Sequence, residues 1–158
     1  QEEAMELSDQ IVVVDKGRIH QVGSPREVYD VPKTPFVASF VGTANVLTGQ
    51  VKDGRASVGS MAIAVSEDIP DGSNVRAIVR PHDVRITKGE AAPHKAVGRV
   101  RRIARLGAYV KLDLEIASGE VVTVQLTRRE FEEMKLSDGD AVVIDLDEAR
   151  VFVDDYAI

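Results

Sequence analysis

Four arginines fall within seven positions, Arg99, Arg101, Arg102 and Arg105, and they form the densest basic cluster in the chain. Guanidinium forks grip carboxylates and small oxyanions through paired N–H groups. Joined to aromatic platforms, the same charges bind single-stranded nucleic acid. Aromatic residues make up only 4 % of the chain, Tyr109 alone stands near the cluster, and the net charge of −6 repels a polyanion. The expectation is therefore no nucleic-acid partner. The arginines form either a solvated or subunit-contacting face, or a hold for a small oxyanion shared with backbone N–H groups.

The second constellation is Arg80-Pro81-His82-Asp83. Proline fixes its own φ and drives Arg80 to an extended conformation, while Asp83 can accept from nearby backbone N–H groups, so a structural turn is favoured over a ligand pocket. With Arg80 and His82, the six basic residues named so far are the candidate contacts for an oxyanion or a second subunit. His20, His82 and His94 are scattered and do not give the three or four converging ligands of a metal site. Asp113 and Glu115 alternate with apolar neighbours, which puts them on the water face of a strand rather than in a cleft suited to acid–base chemistry. Asp147-Glu148 and Asp154-Asp155 read as solubilising charge. The dipeptide Gly-Lys, central to a phosphate-cradling loop, occurs nowhere. No catalytic, cofactor or metal residue is expected, and the lack of cysteine removes thiolate chemistry.

These residues need elements to position them. Glu2 to Leu7 reads as the tail of a helix, and Ile11-Val12-Val13-Val14 as a strand covered on both faces. Residues 10–22 form a hairpin across Gly17. Ser24-Pro25-Arg26-Glu27 is a capping box with proline at the first helical position, and Thr34-Pro35 repeats the device for a second helix that Gly42 ends. If the flanking sheet is missing, the uncovered Ile11 to Val14 strand is expected to find a strand exchange or an intermolecular contact.

Near residue 44 the texture changes to short strands with glycine turns: 46–51, 56–58, 61–65 and 75–79, then a polar link at 88–95. A second set follows at 109–116, 120–126, 141–146 and 151–153. Between them Thr127-Arg128-Arg129-Glu130 is a capping box, with Leu126 and Phe131 at staple positions, opening one helix at about 128–135. The fold expected is mainly β, an OB-like small barrel or sandwich over 44–158 preceded by a short α/β segment over 1–43. Residues 46–86 and 97–153 share some texture, as two variants of one β unit would. A charged fraction of 29 %, an acidic start and no apolar run of eighteen residues point to a cytoplasmic chain.

The stretch QEEAMELSDQIVVVDKGRIHQVGSPREVYDVPKTPFVASFVG resembles the end of the nucleotide-binding domain of ABC importer ATPases of the sulfate and maltose class. Phe40 to Leu47 is similar to that family's junction into its accessory TOBE region, and Val79 to Val84 to the family's Arg-Pro turn. Together they look more like the sulfate or thiosulfate subgroup than the sugar subgroup. The resemblance implies a parent that hydrolyses ATP with magnesium, sits on the inner face of the membrane through permease subunits, and forms a homodimer through its β domain. It also implies that residues 1–43 close the nucleotide-binding domain just after its switch histidine. This chain itself is then a non-enzymatic regulatory region. The alternative is a free-standing OB-type module for small oxyanions or nucleic acid.

Overall fold

A computed structural model of the chain describes residues 1–66, 68–90, 92–146 and 148–154. It divides into two compact units, Gln1–Ala44 and Asn45–Ile158.

The first unit holds α1 (Glu2–Leu7), β1 (Ile11–Asp15), β2 (Arg18–Gly23), α2 (Pro25–Asp30) and α3 (Pro35–Phe40). Local chemistry places both later helices. The Ser24 hydroxyl accepts from the Glu27 N–H at 3.3 Å, the Glu27 carboxylate accepts from the Ser24 N–H at 2.8 Å, and Thr34 caps Val37 at 3.2 Å. Such caps contribute about 1 kcal/mol each. Buried Gln21 ties down the loop between the helices, donating to the Val31 carbonyl at 3.0 Å and accepting from the Lys33 N–H at 2.8 Å. Val13, Val28 and Val37 form a small core.

The strands pair as an antiparallel hairpin, but β1 is covered on one face only. Val12 and Val14, opposite Val22 and Ile19, remain 50 %, 53 %, 43 % and 67 % exposed. The expectation of two covered faces fails here because the helices of this unit pack on the Val13 side alone.

Among its described residues, the second unit consists of two five-stranded antiparallel sheets and one helix. Sheet one runs β12 (Arg150–Val153), β6 (Asn74–Val79), β3 (Asn45–Lys52), β4 (Arg55–Val58), β5 (Met61–Ala64). Sheet two runs β10 (Val121–Thr127), β9 (Tyr109–Ile116), β8 (Ala96–Leu106), β11 (Ala141–Asp145), β7 (Arg85–Lys88), with α4 (Arg128–Met134) following β10. The sheets are interlocked. Strand β7 follows β6 in the chain yet joins sheet two, and β12 follows β11 yet returns to sheet one. One core serves both, running from Leu47 and Val75 to Leu112, Val124 and Ile144. Neither half of the β unit closes by itself. Both sheets curl, which gives the mainly β, OB-like architecture expected, but β7 and β8 were not foreseen as strands.

Glycine allows two close approaches. A Cβ on Gly49 would lie 2.4 Å from the Ser57 backbone oxygen, and one on Gly98 would lie 2.9 Å from Ile144 Cδ1. These contacts let β4 fold over β3 and let β8 nest against β11.

Candidate functional site

The Arg80–Asp83 segment is a turn, closed by the Asp83 N–H donating to the Arg80 carbonyl at 3.0 Å. Its proline carbonyl does further work, accepting from the Gln125 N–H at 2.8 Å. Gln125 lies on β10, an edge of sheet two. Two residues away, Thr123 exchanges two hydrogen bonds with the side-chain amide of Asn45, each 2.8 Å. Two residues away on the other side, the Thr127 N–H is taken by Glu130 at 2.7 Å. Side chains, a turn and a helix cap thus occupy an edge that would otherwise invite another strand. Arg80 is buried at 7 % exposure; His82 is half-exposed, with Nε2 3.7 Å from Asp83 Oδ1. His82 lines an open groove of about 570 Å³ with Ile86, Leu126 and Glu133.

The arginine cluster occupies β8. A register shift between Val100 and Arg102 makes Arg101 the extra residue of a β-bulge. Arg99 and Arg102 lie opposite Glu115 and Asp113 on the outward face, and Arg101 reaches Glu115 at 2.8 Å. Arg99 also donates to the Gly139 carbonyl at 3.3 Å. Arg105 lies opposite Val110 on the core-facing side, its guanidinium 5.2 Å from the centre of the Phe131 ring. The four therefore do not converge on one ligand. Asp113 accepts from the Thr123 hydroxyl at 3.1 Å, on the outward face expected for it. Asp154 is more than solubilising charge, since it pairs with Arg76 at 3.0 Å; Asp147 and Asp155 lie outside the described residues.

Strand β11 pairs with β8 only as far as Arg99. Beyond it, α4 lies beside β9 and β10 and leaves a groove of about 350 Å³ lined by Arg105, Gly107, Val110, Arg128, Phe131 and Glu132. The capping box fixes this helix. Thr127 donates both hydroxyl and N–H to Glu130, holding its carboxyl below the usual glutamate range. The sequence foresaw the helix and its buried Phe131, but not that Arg128 would meet Arg105 across a concavity. The two are 23 positions apart, and only the pairing of β8 through β10 unites them. Among the described residues no three potential metal ligands gather.

Residues 45–86 match the family model described as the CysA C-terminal regulatory domain, and residues 91–146 match the TOBE-like domain. The β unit is thus similar to the CysA C-terminal regulatory domain in its first part and to the TOBE-like domain in its second. The sulfate/thiosulfate import ATP-binding protein CysA of Burkholderia pseudomallei (strain K96243) is 40 % identical over 152 residues, covering 96 % of this chain and 43 % of the relative. The protein of the same name from Synechococcus elongatus is 35 % identical, covering 100 % of this chain and 42 % of the relative. This chain thus spans less than half the length of the curated CysA relatives it matches. In fold, the chain resembles the cytoplasmic molybdate-binding protein ModG, with a TM-score of 0.57, 22 % identity, and coverage of 69 % of this chain and 95 % of that one. The first match ends within β7, at residue 86, and the second begins at residue 91, so the strand on which the first match closes lies in the sheet of the second.

Proposed function

We propose that this chain is the C-terminal region of the ATP-binding subunit of an importer for sulfate or thiosulfate, and that its β unit regulates and pairs such subunits on the cytoplasmic side of the membrane. The observation that carries this reading is the ordered pair of matches, regulatory domain then TOBE-like domain, within a stretch that aligns with import ATP-binding proteins over 96 % of the chain. In this reading residues 1–43 close the nucleotide-binding domain, and a longer parent hydrolyses ATP with magnesium and contacts permease subunits. The chain itself turns over no ATP, because a triphosphate needs a lysine-tipped glycine cradle and no Gly-Lys occurs here.

The interlocked sheets suit the pairing role. A body whose halves share strands moves as one piece, so it can hold two subunits together while their nucleotide-binding domains open and close. Arg99, Arg101 and Arg102, spread along an outward face, fit a contact with a second subunit better than a single oxyanion, which needs converging donors.

The test is co-expression of the tagged chain with the Burkholderia pseudomallei relative in cells importing radiolabelled sulfate. Mixed assemblies should be recovered on the tag, and uptake should fall. Failure to co-purify, with uptake unchanged while the chain is soluble and in excess, would count against the proposal.

A further inference from the structure

We propose that the groove between the β8–β9 turn and α4 docks an acidic polypeptide segment carrying one bulky apolar side chain. The first observation is charge. From Arg99 to Leu112 the sequence contains five cationic residues and no acid, in a chain whose net charge is −6. Arg101 is spent on Glu115, but Arg102, Arg105 and Lys111 form no ion pair among the described residues. Arg102 and Lys111 lie on the outward face of the hairpin, so the cations of the groove itself are Arg105 and Arg128, the latter with Glu132 only at 4.0 Å and both of those side chains mostly exposed. Arg129 is occupied by Glu133 at 3.0 Å.

The second observation is shape. The groove holds about 350 Å³ and has an apolar floor, Val110 and Phe131, beneath the two arginines. Arg105 is laid across the Phe131 ring, so its guanidinium is already oriented and loses less freedom on binding a carboxylate. Guarding a strand edge would call for charge alone. It does not call for a concavity with an aromatic floor.

A leucine-sized side chain fills such a groove against Val110 and Phe131, and carboxylates on either side of it reach Arg105 and Arg128 as forked pairs. Extended polyanions fit less well. The overall negative charge repels an anionic bilayer or a nucleic-acid backbone over its length, whereas a short peptide meets the local field within a Debye length of about 8 Å. Tyr109, the aromatic residue next to the cluster in sequence, is half-buried and has the Lys111 ammonium 6.0 Å from its centre.

The experiment measures fluorescence anisotropy of a labelled, end-blocked peptide with a central leucine flanked by two glutamates on each side, titrated with the full chain. Binding is expected, weakening steeply with salt. Replacing the glutamates by lysine, or the leucine by glycine, should reduce affinity about tenfold or more, as should Arg105→Glu or Arg128→Glu. Arg128 is exposed, so its reversal leaves the fold intact should Arg105→Glu unfold the barrel, and Arg26→Glu on α2 should change nothing. No binding, equal binding of the lysine peptide, or full affinity in Arg128→Glu overturns the proposal. Co-sedimentation of the chain with phosphatidylserine vesicles, without peptide binding, overturns it in favour of a lipid surface.

Discussion

The side-chain amide of Asn45 pairs with the backbone of Thr123 as a strand residue would, donating from Nδ2 to the carbonyl and accepting from the N–H at Oδ1, both at 2.8 Å. Asn45 opens the first sheet and Thr123 lies on the edge of the second. One side chain thus joins two sheets and shields a strand edge. Asn45→Ala should lower stability by about 1–3 kcal/mol, because it strips two partly buried backbone groups of their partners. Asn45→Asp should also destabilise, since it keeps the acceptor but sets a carboxylate oxygen against the Thr123 carbonyl. The measurement is the urea midpoint at unchanged slope. An unchanged midpoint in both variants would mean that the edge is equally well served by water.

The exchange of β7 and β12 between the sheets makes a prediction about cooperativity. Residues 91–146, the span of the TOBE-like match, lack both β7 and the surface of sheet one that completes the core. Expressed alone, this fragment should lack a cooperative melt by circular dichroism, while residues 45–158 should melt in one transition. A folded 91–146 fragment would remove the interlock as a source of stability.

Two glycines should differ in cost when changed to alanine. At Gly49 the new methyl meets a backbone oxygen at 2.4 Å, which cannot swing aside, so β3 and β4 must separate. At Gly98 it meets the far end of Ile144 at 2.9 Å and Leu114 Cβ at 3.0 Å, and the isoleucine can change rotamer. Gly98→Ala should cost about 1–3 kcal/mol, the usual range for overpacking, and Gly49→Ala more. Thermal melts of the two variants would decide the order, and the reverse order would mean that β4 yields more easily than the core.

What the sequence disclosed follows from the range of the interactions involved. Ser24 with Glu27, and Thr127 with Glu130, act three residues apart, so both helices could be read directly. The alternation in Tyr109 to Ile116 is likewise local, and so was the mainly β class. Strand β8 escaped because its bulge breaks the period: inward positions run Gly98, Val100, Ile103, Arg105, and the surviving pattern was a run of arginines. Strand β7 offers one inward apolar residue, Ile86, too few for a pattern. The Asn45 bridge and the Arg105–Arg128 groove depend on pairings between distant strands, for which no nearby residue is a signal.

Acid should weaken the chain through three carboxylates. Glu27 and Glu130 accept from the N–H and hydroxyl groups of their capping partners, and Asp140 accepts from the Ser137 N–H and from Lys88, so each is held below its usual pKa. A carboxylate depressed in the folded state is protonated first in the unfolded chain. Its stabilisation is complete above the ordinary carboxylate range and disappears as pH falls through the lowered value. The melting temperature should therefore fall below about pH 5. Glu130→Gln keeps an acceptor for the Thr127 N–H but carries no charge to titrate, so it should melt lower than the parent near neutrality and approach it in acid. A gap that stays constant across the whole titration would place the loss in the geometry of the cap rather than in its charge.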